Sequence, residues 1–146
     1  MVDQSNFNKE DSEDNSSYDY QVLARRYRPK NFDNLIGQTS TVRILSNAFK
    51  LNRIAHAFLF TGVRGVGKTT AARIVARGLN CLNTDNPTIA PCGKCSSCIA
   101  AANDRHVDII EIDAASHTGV DDMRELTEGV RYKPSVGRFR IYIIDE

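Results

Sequence analysis

The chain has 146 residues, 41% of them hydrophobic and 25% charged, which suits one soluble domain with an apolar core. No apolar run approaches the roughly 20 residues that span a bilayer, and the acidic N-terminus lacks the apolar core of a secretory signal, so no signal or transit peptide is expected and a cytoplasmic protein follows by default. The net charge of +1 hides an asymmetry: residues 1–19 hold six acids and one base, and the rest is basic by +6, as suits an anionic ligand, nucleic acid or a plain solvated surface.

Residues 1–19 are rich in Asn, Ser, Asp and Glu and cannot bury enough surface to offset their ordering entropy, so they read as a disordered tail. From Tyr20 an apolar start runs into a basic cluster, Arg25, Arg26, Arg28 and Lys30, around Pro29; charge alone favours a solvated face there. Phe32, Leu35 and Ile36 follow, closed by Gly37. Val42, Leu45 and Phe49 recur at helical spacing and predict a helix over residues 41–51, ended by Asn52 and Arg53. Ala57, Phe58, Leu59 and Phe60 form a short apolar run that predicts a fully buried strand. A glycine-rich loop comes next, then a helix over residues 69–79 with Ala72, Val75, Ala76 and Leu79 inward. Residues 80–99 carry all four cysteines among Asn, Pro and Gly and predict an irregular module, with a short helix over residues 99–104. Residues 107–113 predict a second strand. Residues 121–130 predict a helix with Met123, Leu126 and Val130 apolar, N-capped near Gly119, and residues 139–146 predict a third strand. Strands alternating with helices imply an α/β chain with a parallel sheet. His56, His106 and His117 read as loop or packing histidines rather than ligands.

The glycine-rich loop has the spacing G-x(4)-G-K-T, met by Gly62, Gly67, Lys68 and Thr69. Glycines permit backbone conformations in which successive N–H groups face phosphate oxygens, and the next helix turns its positive end toward the same charge. The expected cradle runs through Gly62, Val63, Arg64, Gly65, Val66, Gly67, Lys68, Thr69 and Thr70. Lys68 supplies a cation for the outer phosphates and the Thr69 hydroxyl a magnesium ligand. The apolar strand Ile141 to Ile144 ends in Asp145 and Glu146, where an Asp holds magnesium and a Glu orients or deprotonates water in P-loop ATPases. The site therefore predicts ATP with Mg2+. Asp113, ending the second strand, either approaches this site or caps its own turn.

Cys81, Cys92, Cys95 and Cys98 give C-x(10)-C-x(2)-C-x(2)-C. Four thiolates on short loops match tetrahedral, structural Zn2+. An iron–sulfur cluster, a redox-active pair and unligated thiols are the alternatives.

Taken together and in order, these motifs strongly resemble the gamma/tau subunits of bacterial DNA polymerase III, the ATPases of the sliding-clamp loader. The resemblance covers residues 20–146. It is carried by residues 20–29, Ile36-Gly37-Gln38, His56 to Phe60, the phosphate loop, the four cysteines, Glu111 to Ser116, and Gly137-Arg138-Phe139 running into Asp145-Glu146. It implies a partial AAA+ nucleotide-binding domain over residues 20–146 with a zinc module inserted at residues 80–99. It places Ala24, Tyr27, Arg28, Pro29, Ile36, Gly37 and Gln38 near the adenine and ribose. It implies an ATP-hydrolysing motor within the DNA-directed DNA polymerase holoenzyme, assembling with delta, delta prime and further gamma/tau copies to load the sliding clamp onto primed DNA. The acidic residues 1–19 fall outside the pattern. The resemblance also implies an N-terminal fragment, inactive alone, whose later strands, sensor residues, lid and partner-contacting arginine lie beyond Glu146. A nucleotide-binding subunit without hydrolysis, and a zinc-dependent nucleic-acid module, are the competing functions.

Overall fold

The computed structural model describes Leu23, residues 27–116 and residues 119–145. The expected acidic tail, Ala24, Arg25, Arg26, His117 and Glu146 lie outside the described residues. Among those described there are four α-helices, a short 3₁₀ helix at Phe32–Asn34 and a two-stranded parallel sheet.

Helix α1 spans Thr39–Lys50. Asn52, at φ 50°, takes the left-handed conformation after it, and the Arg53 N–H returns to the Ala48 carbonyl at 2.9 Å. That bond closes the helix as a Schellman motif. Helix α2 spans Lys68–Leu79 and starts at Gly67, whose φ of 102° is costly for any residue with a Cβ. Helix α3 spans Ser96–Ala102, three residues earlier than predicted, because the Cys95 sulfur caps it by accepting the Cys98 N–H at 3.4 Å. Helix α4 spans Val120–Val130, N-capped at Gly119, whose N–H donates to the Asp122 carboxylate at 3.2 Å.

Strands β1 (Ile109–Asp113) and β2 (Ile141–Asp145) pair in parallel, with Ile109 opposite Ile141 and Asp113 opposite Asp145. Both carboxy-terminal aspartates thus sit at one edge of the sheet. The core is formed by Phe32, Leu45, Phe49, Ala71, Ile74, Val75 and Leu79, with Ile141 and Phe60 against it. It locks α1 to α2 and seats α2 on β2.

The first expected strand is corrected here. Residues 57–60 pair with no described segment, and Leu59 is 89% exposed. Hydrophobic content favours burial, but a strand also needs a ladder partner for its N–H and C=O groups. Residues 57–60 remain an unpaired connection leading into the phosphate loop.

Gly78 lies where the cysteine module crosses α2. The Thr88 N–H donates to the Gly78 carbonyl at 3.0 Å, and a Cβ on Gly78 would overlap the Thr88 carbonyl oxygen. Helix propensity alone gives Gly→Ala a gain of about 1 kcal/mol. The contact reverses that sign: Gly78→Ala is expected to destabilise the chain by about 1–3 kcal/mol. The shift in a denaturation midpoint at unchanged slope measures it. No helix among the described residues is long and apolar enough to cross a membrane.

Candidate functional site

The folding of α2 onto β2 brings together side chains 76 residues apart. The Thr69 hydroxyl donates to the Asp145 carboxylate, at 3.1 Å to Oδ1 and 2.9 Å to Oδ2. Thr69 occupies the second position of α2, and Asp145 the last of β2. The first bond of α2 runs from the Ala71 N–H to the Gly67 carbonyl at 2.8 Å. The N–H groups of Lys68, Thr69 and Thr70 are those a helix start leaves without an intrahelical acceptor. They add to the positive end of the helix dipole, which favours an anion.

The loop before α2 wraps around the Lys68 ammonium. Lys68 Nζ donates to the carbonyls of Gly62 at 2.9 Å and Val63 at 3.1 Å. Gly62, Gly65 and Gly67 all have positive φ, so the chain turns tightly from residue 62 to residue 67. Val63, Arg64 and Val66 are exposed, and Thr70 is half-buried. The cation, the orphan N–H groups and the hydroxyl–carboxylate pair form a donor set that fits a magnesium–triphosphate: Lys68 and the loop for phosphate oxygens, Thr69 and Asp145 for the metal.

Beside the loop lies a cleft of about 260 Å³, lined among others by Gln38, Thr41, Leu45, Phe58, Val66 and Lys68. Gln38 Nε2 donates to the Val66 carbonyl at 3.3 Å, and its Oε1 accepts the Thr41 hydroxyl at 3.1 Å. Of the residues expected near a base and ribose, Gln38 lines this cleft. Tyr27 and Ile36 are 75% and 96% exposed, Gly37 is exposed, and Arg28 and Pro29 are half-buried; none of these five is among the cleft's lining residues.

Asp113 caps its own turn. Its Oδ1 accepts the Ala115 N–H at 3.0 Å and its Oδ2 the Ser116 hydroxyl at 2.7 Å.

The four cysteines converge in a second centre. Cys81, Cys92, Cys95 and Cys98 place their Sγ atoms within 4.8 Å of one another, and Cys81 and Cys98 are fully buried. A zinc bound at about 2.3 Å sets its sulfurs about 3.8 Å apart; the Cys92 and Cys98 sulfurs are 4.0 Å apart. Backbone N–H groups already point at the sulfurs: Lys94 at 3.4 Å and Cys95 at 3.3 Å to Cys92, and Cys92 at 3.5 Å to Cys81. The Lys94 and Cys95 N–H groups pull the Cys92 thiol down to about 6. Burial pushes Cys98 up to about 12. The cluster can hold one metal ion as four thiolates.

Several polar residues that organise both centres carry no local motif. Asp108 is fully buried, and its carboxylate accepts N–H groups of Ser135, Val136 and Gly137, each at 2.7 Å. Burial opposes its charge, but these three donors hold it below the usual carboxylate range. His106 Nδ1 accepts the Asp108 N–H at 3.1 Å, so its Nε2 carries the proton facing the Ser97 hydroxyl at 2.9 Å. His106 is thus a packing histidine that joins α3 to β1. Arg73 on α2 forms a bidentate pair with Glu111 on β1, at 2.7 and 2.6 Å. The sequence signal for Asp108 was an acid inside an apolar run.

A family model described as DNA polymerase III, delta subunit, matches residues 37–146. The chain is similar to the tau/gamma subunit of DNA polymerase III from Haemophilus influenzae, 54% identical over 127 residues, or 87% of this chain and 18% of that protein. It is 50% identical to the gamma subunit from Buchnera aphidicola, over 87% of this chain and 34% of that protein. It is 51% identical to the tau subunit from Escherichia coli, over 87% of this chain and 19% of that protein. The chain therefore spans between about a fifth and a third of the length of these curated relatives.

Proposed function

Because this chain belongs to the family described as DNA polymerase III, delta subunit, and its relatives are gamma and tau subunits, we propose that it is the nucleotide-binding part of a clamp-loader ATPase. In this reading it has the AAA+ fold, binds ATP with Mg2+ and holds one structural Zn2+. It works with delta, delta prime and further gamma/tau copies to place the sliding clamp on primed DNA.

The observation that carries the reading is the Thr69–Asp145 contact at the positive end of α2, with Lys68 beside it. Magnesium, when bound, neutralises charge on the transferring phosphoryl group. The chain's own part is positional. Lys68 leaves the Gly62 and Val63 carbonyls for the outer phosphates. The N–H groups of Lys68, Thr69 and Thr70 hold phosphate oxygens in place. Thr69 and Asp145 face the metal together, and Glu146, next in sequence, is the residue for orienting water. Gln38 fixes the loop at Val66 and lines the cleft where a base can lie.

The test is ATP hydrolysis by this protein, alone and with partner subunits, clamp and primed DNA. Hydrolysis stimulated by the clamp and primed DNA is expected. Nucleotide binding without turnover under every partner condition would move the chain to a non-hydrolysing structural role. Tight, salt-sensitive DNA binding by residues 80–99 alone would instead favour a nucleic-acid module.

A further inference from the structure

Helix α2 and strand β2 are joined at both of their ends. At one end Thr69 meets Asp145. At the other, Asn80 follows directly on α2, is fully buried, and uses both halves of its amide on one residue. Its Nδ2 donates to the Phe139 carbonyl at 2.8 Å, and its Oδ1 accepts the Phe139 N–H at 2.9 Å. This is the two-bond pattern of a sheet ladder made by a side chain. Gly137 makes it possible, since a Cβ there would lie 2.6 Å from the Asn80 amide nitrogen.

Arg138 reaches from the same segment into the cysteine module. Its guanidinium donates to the carbonyls of Leu79 at 3.5 Å, Cys81 at 2.6 Å and Thr84. One of these acceptors belongs to Cys81 of the four-cysteine cluster, and another to the last turn of α2. Asp108 grips residues 135–137 from the β1 side.

The result is a closed frame. From Thr69 to Asn80 the helix rises about 16 Å at about 1.5 Å per residue. From Ile141 to Asp145 the strand rises about 13 Å at about 3.3 Å per residue, and Phe139 lies two residues before its start. Neither element stretches, so a slip of about 1 Å at Phe139 carries Asp145 a similar distance, enough to break its bond to Thr69. Asn80 holds Phe139, and its neighbour Arg138 ties the same segment to the carbonyls of the loop around Cys81.

We propose that Asn80 and Arg138 are positioning residues through which a metal held by Cys81, Cys92, Cys95 and Cys98 aligns Asp145 on Thr69, so that this metal and magnesium–nucleotide bind with positive coupling. The inference rests on the nucleotide-binding reading above. Coupling of binding free energies is reciprocal, so it can be read from either site.

The experiment uses the zinc-loaded chain, a fluorescent ATP analogue with and without Mg2+, and a chromophoric chelator for zinc release. Removing zinc is expected to weaken magnesium-dependent nucleotide affinity about five- to tenfold, and magnesium-free affinity by less than about twofold. In Arg138→Gln the zinc effect on magnesium-dependent affinity is expected to shrink below about twofold. Conversely, magnesium–nucleotide should slow zinc release from the unaltered chain. That measurement decides alone if Arg138→Gln does not fold. An unchanged magnesium-dependent affinity after zinc removal, with helical circular dichroism retained, overturns the proposal. So does an equal loss of magnesium-free affinity, or a full zinc response in Arg138→Gln. A zinc-loaded chain that binds no nucleotide overturns both this proposal and the nucleotide-binding reading; binding indifferent to zinc overturns this proposal alone.

Discussion

Lys68→Ala is expected to lower ATP hydrolysis on the order of 10²–10³-fold, the loss that follows removal of one preorganised donor to developing charge. The structure gives the physical reason. Lys68 Nζ lies between the Gly62 and Val63 carbonyls, at 2.9 and 3.1 Å, and so closes the loop from within. The ammonium thus has two tasks. Without phosphate it neutralises carbonyls that would otherwise crowd the loop; with phosphate it supplies the cation. Alanine removes both, so nucleotide affinity is expected to fall together with turnover. Thr69→Ala separates the roles. It leaves Lys68 in place and removes the hydroxyl that faces Asp145 at 2.9 Å. Nucleotide affinity without magnesium should then persist, while the gain on adding magnesium disappears. Steady-state hydrolysis and titration of a fluorescent nucleotide, each with and without magnesium, distinguish the two variants. Hydrolysis that survives Lys68→Ala would show that this loop is not the site of turnover.

These effects concern the part of the molecule most legible in the sequence. Gly62, Gly67, Lys68 and Thr69 announce a phosphate loop by spacing because the requirement is local: backbone shape, one cation and one hydroxyl within eight residues. The cysteines are legible for the same reason, since ligands on short loops leave a pattern in the chain. β2 and its terminal Asp145 follow from an apolar run stopped by acid. The run Ala57 to Phe60 has the same apolar texture and no strand, because pairing depends on a neighbour that composition does not specify. Helix α4 makes the related point. Met123 and Val130 recur at helical spacing, yet they are 52% and 57% exposed. Periodicity identifies an apolar face and is silent on what covers it. Asn80 and Arg138 are illegible for a third reason. Their partners Phe139 and Cys81 lie 59 and 57 residues away, and are met through backbone groups that every residue carries.

Stripping the metal from the cysteine cluster is expected to unfold residues 80–95 and release their grip on α2. Apart from α3, that module has no helix or strand to hold it. Its order comes from backbone N–H groups aimed at sulfur, the Arg138 bonds to the Cys81 and Thr84 carbonyls, and the crossing at Gly78. A structural zinc contributes on the order of 10 kcal/mol of apparent binding free energy near neutral pH, well above what those few contacts supply at about 1 kcal/mol each. Cys98→Ser, at a fully buried cysteine of the cluster, should therefore lose both metal and protease resistance in the module.

The pH dependence has a definite sign. Metal requires thiolates, so protons and metal compete for the same sulfurs and acid must weaken binding. Cys92, held near 6 by the Lys94 and Cys95 N–H groups, is already a thiolate at neutral pH. Cys98, pushed to about 12 by burial, is not, so metal uptake must displace its proton. Binding is thus expected to release protons at pH 7 and to weaken more steeply below about pH 6, where Cys92 also protonates. Zinc competition against a chromophoric chelator across pH 5 to 8, with proton release followed in weak buffer, measures both. About one zinc per chain is expected. Visible absorbance from iron, or a module equally protease-resistant with and without metal, would refute the structural zinc. A metal that survives unchanged at pH 5 would show that the sulfurs are not its ligands.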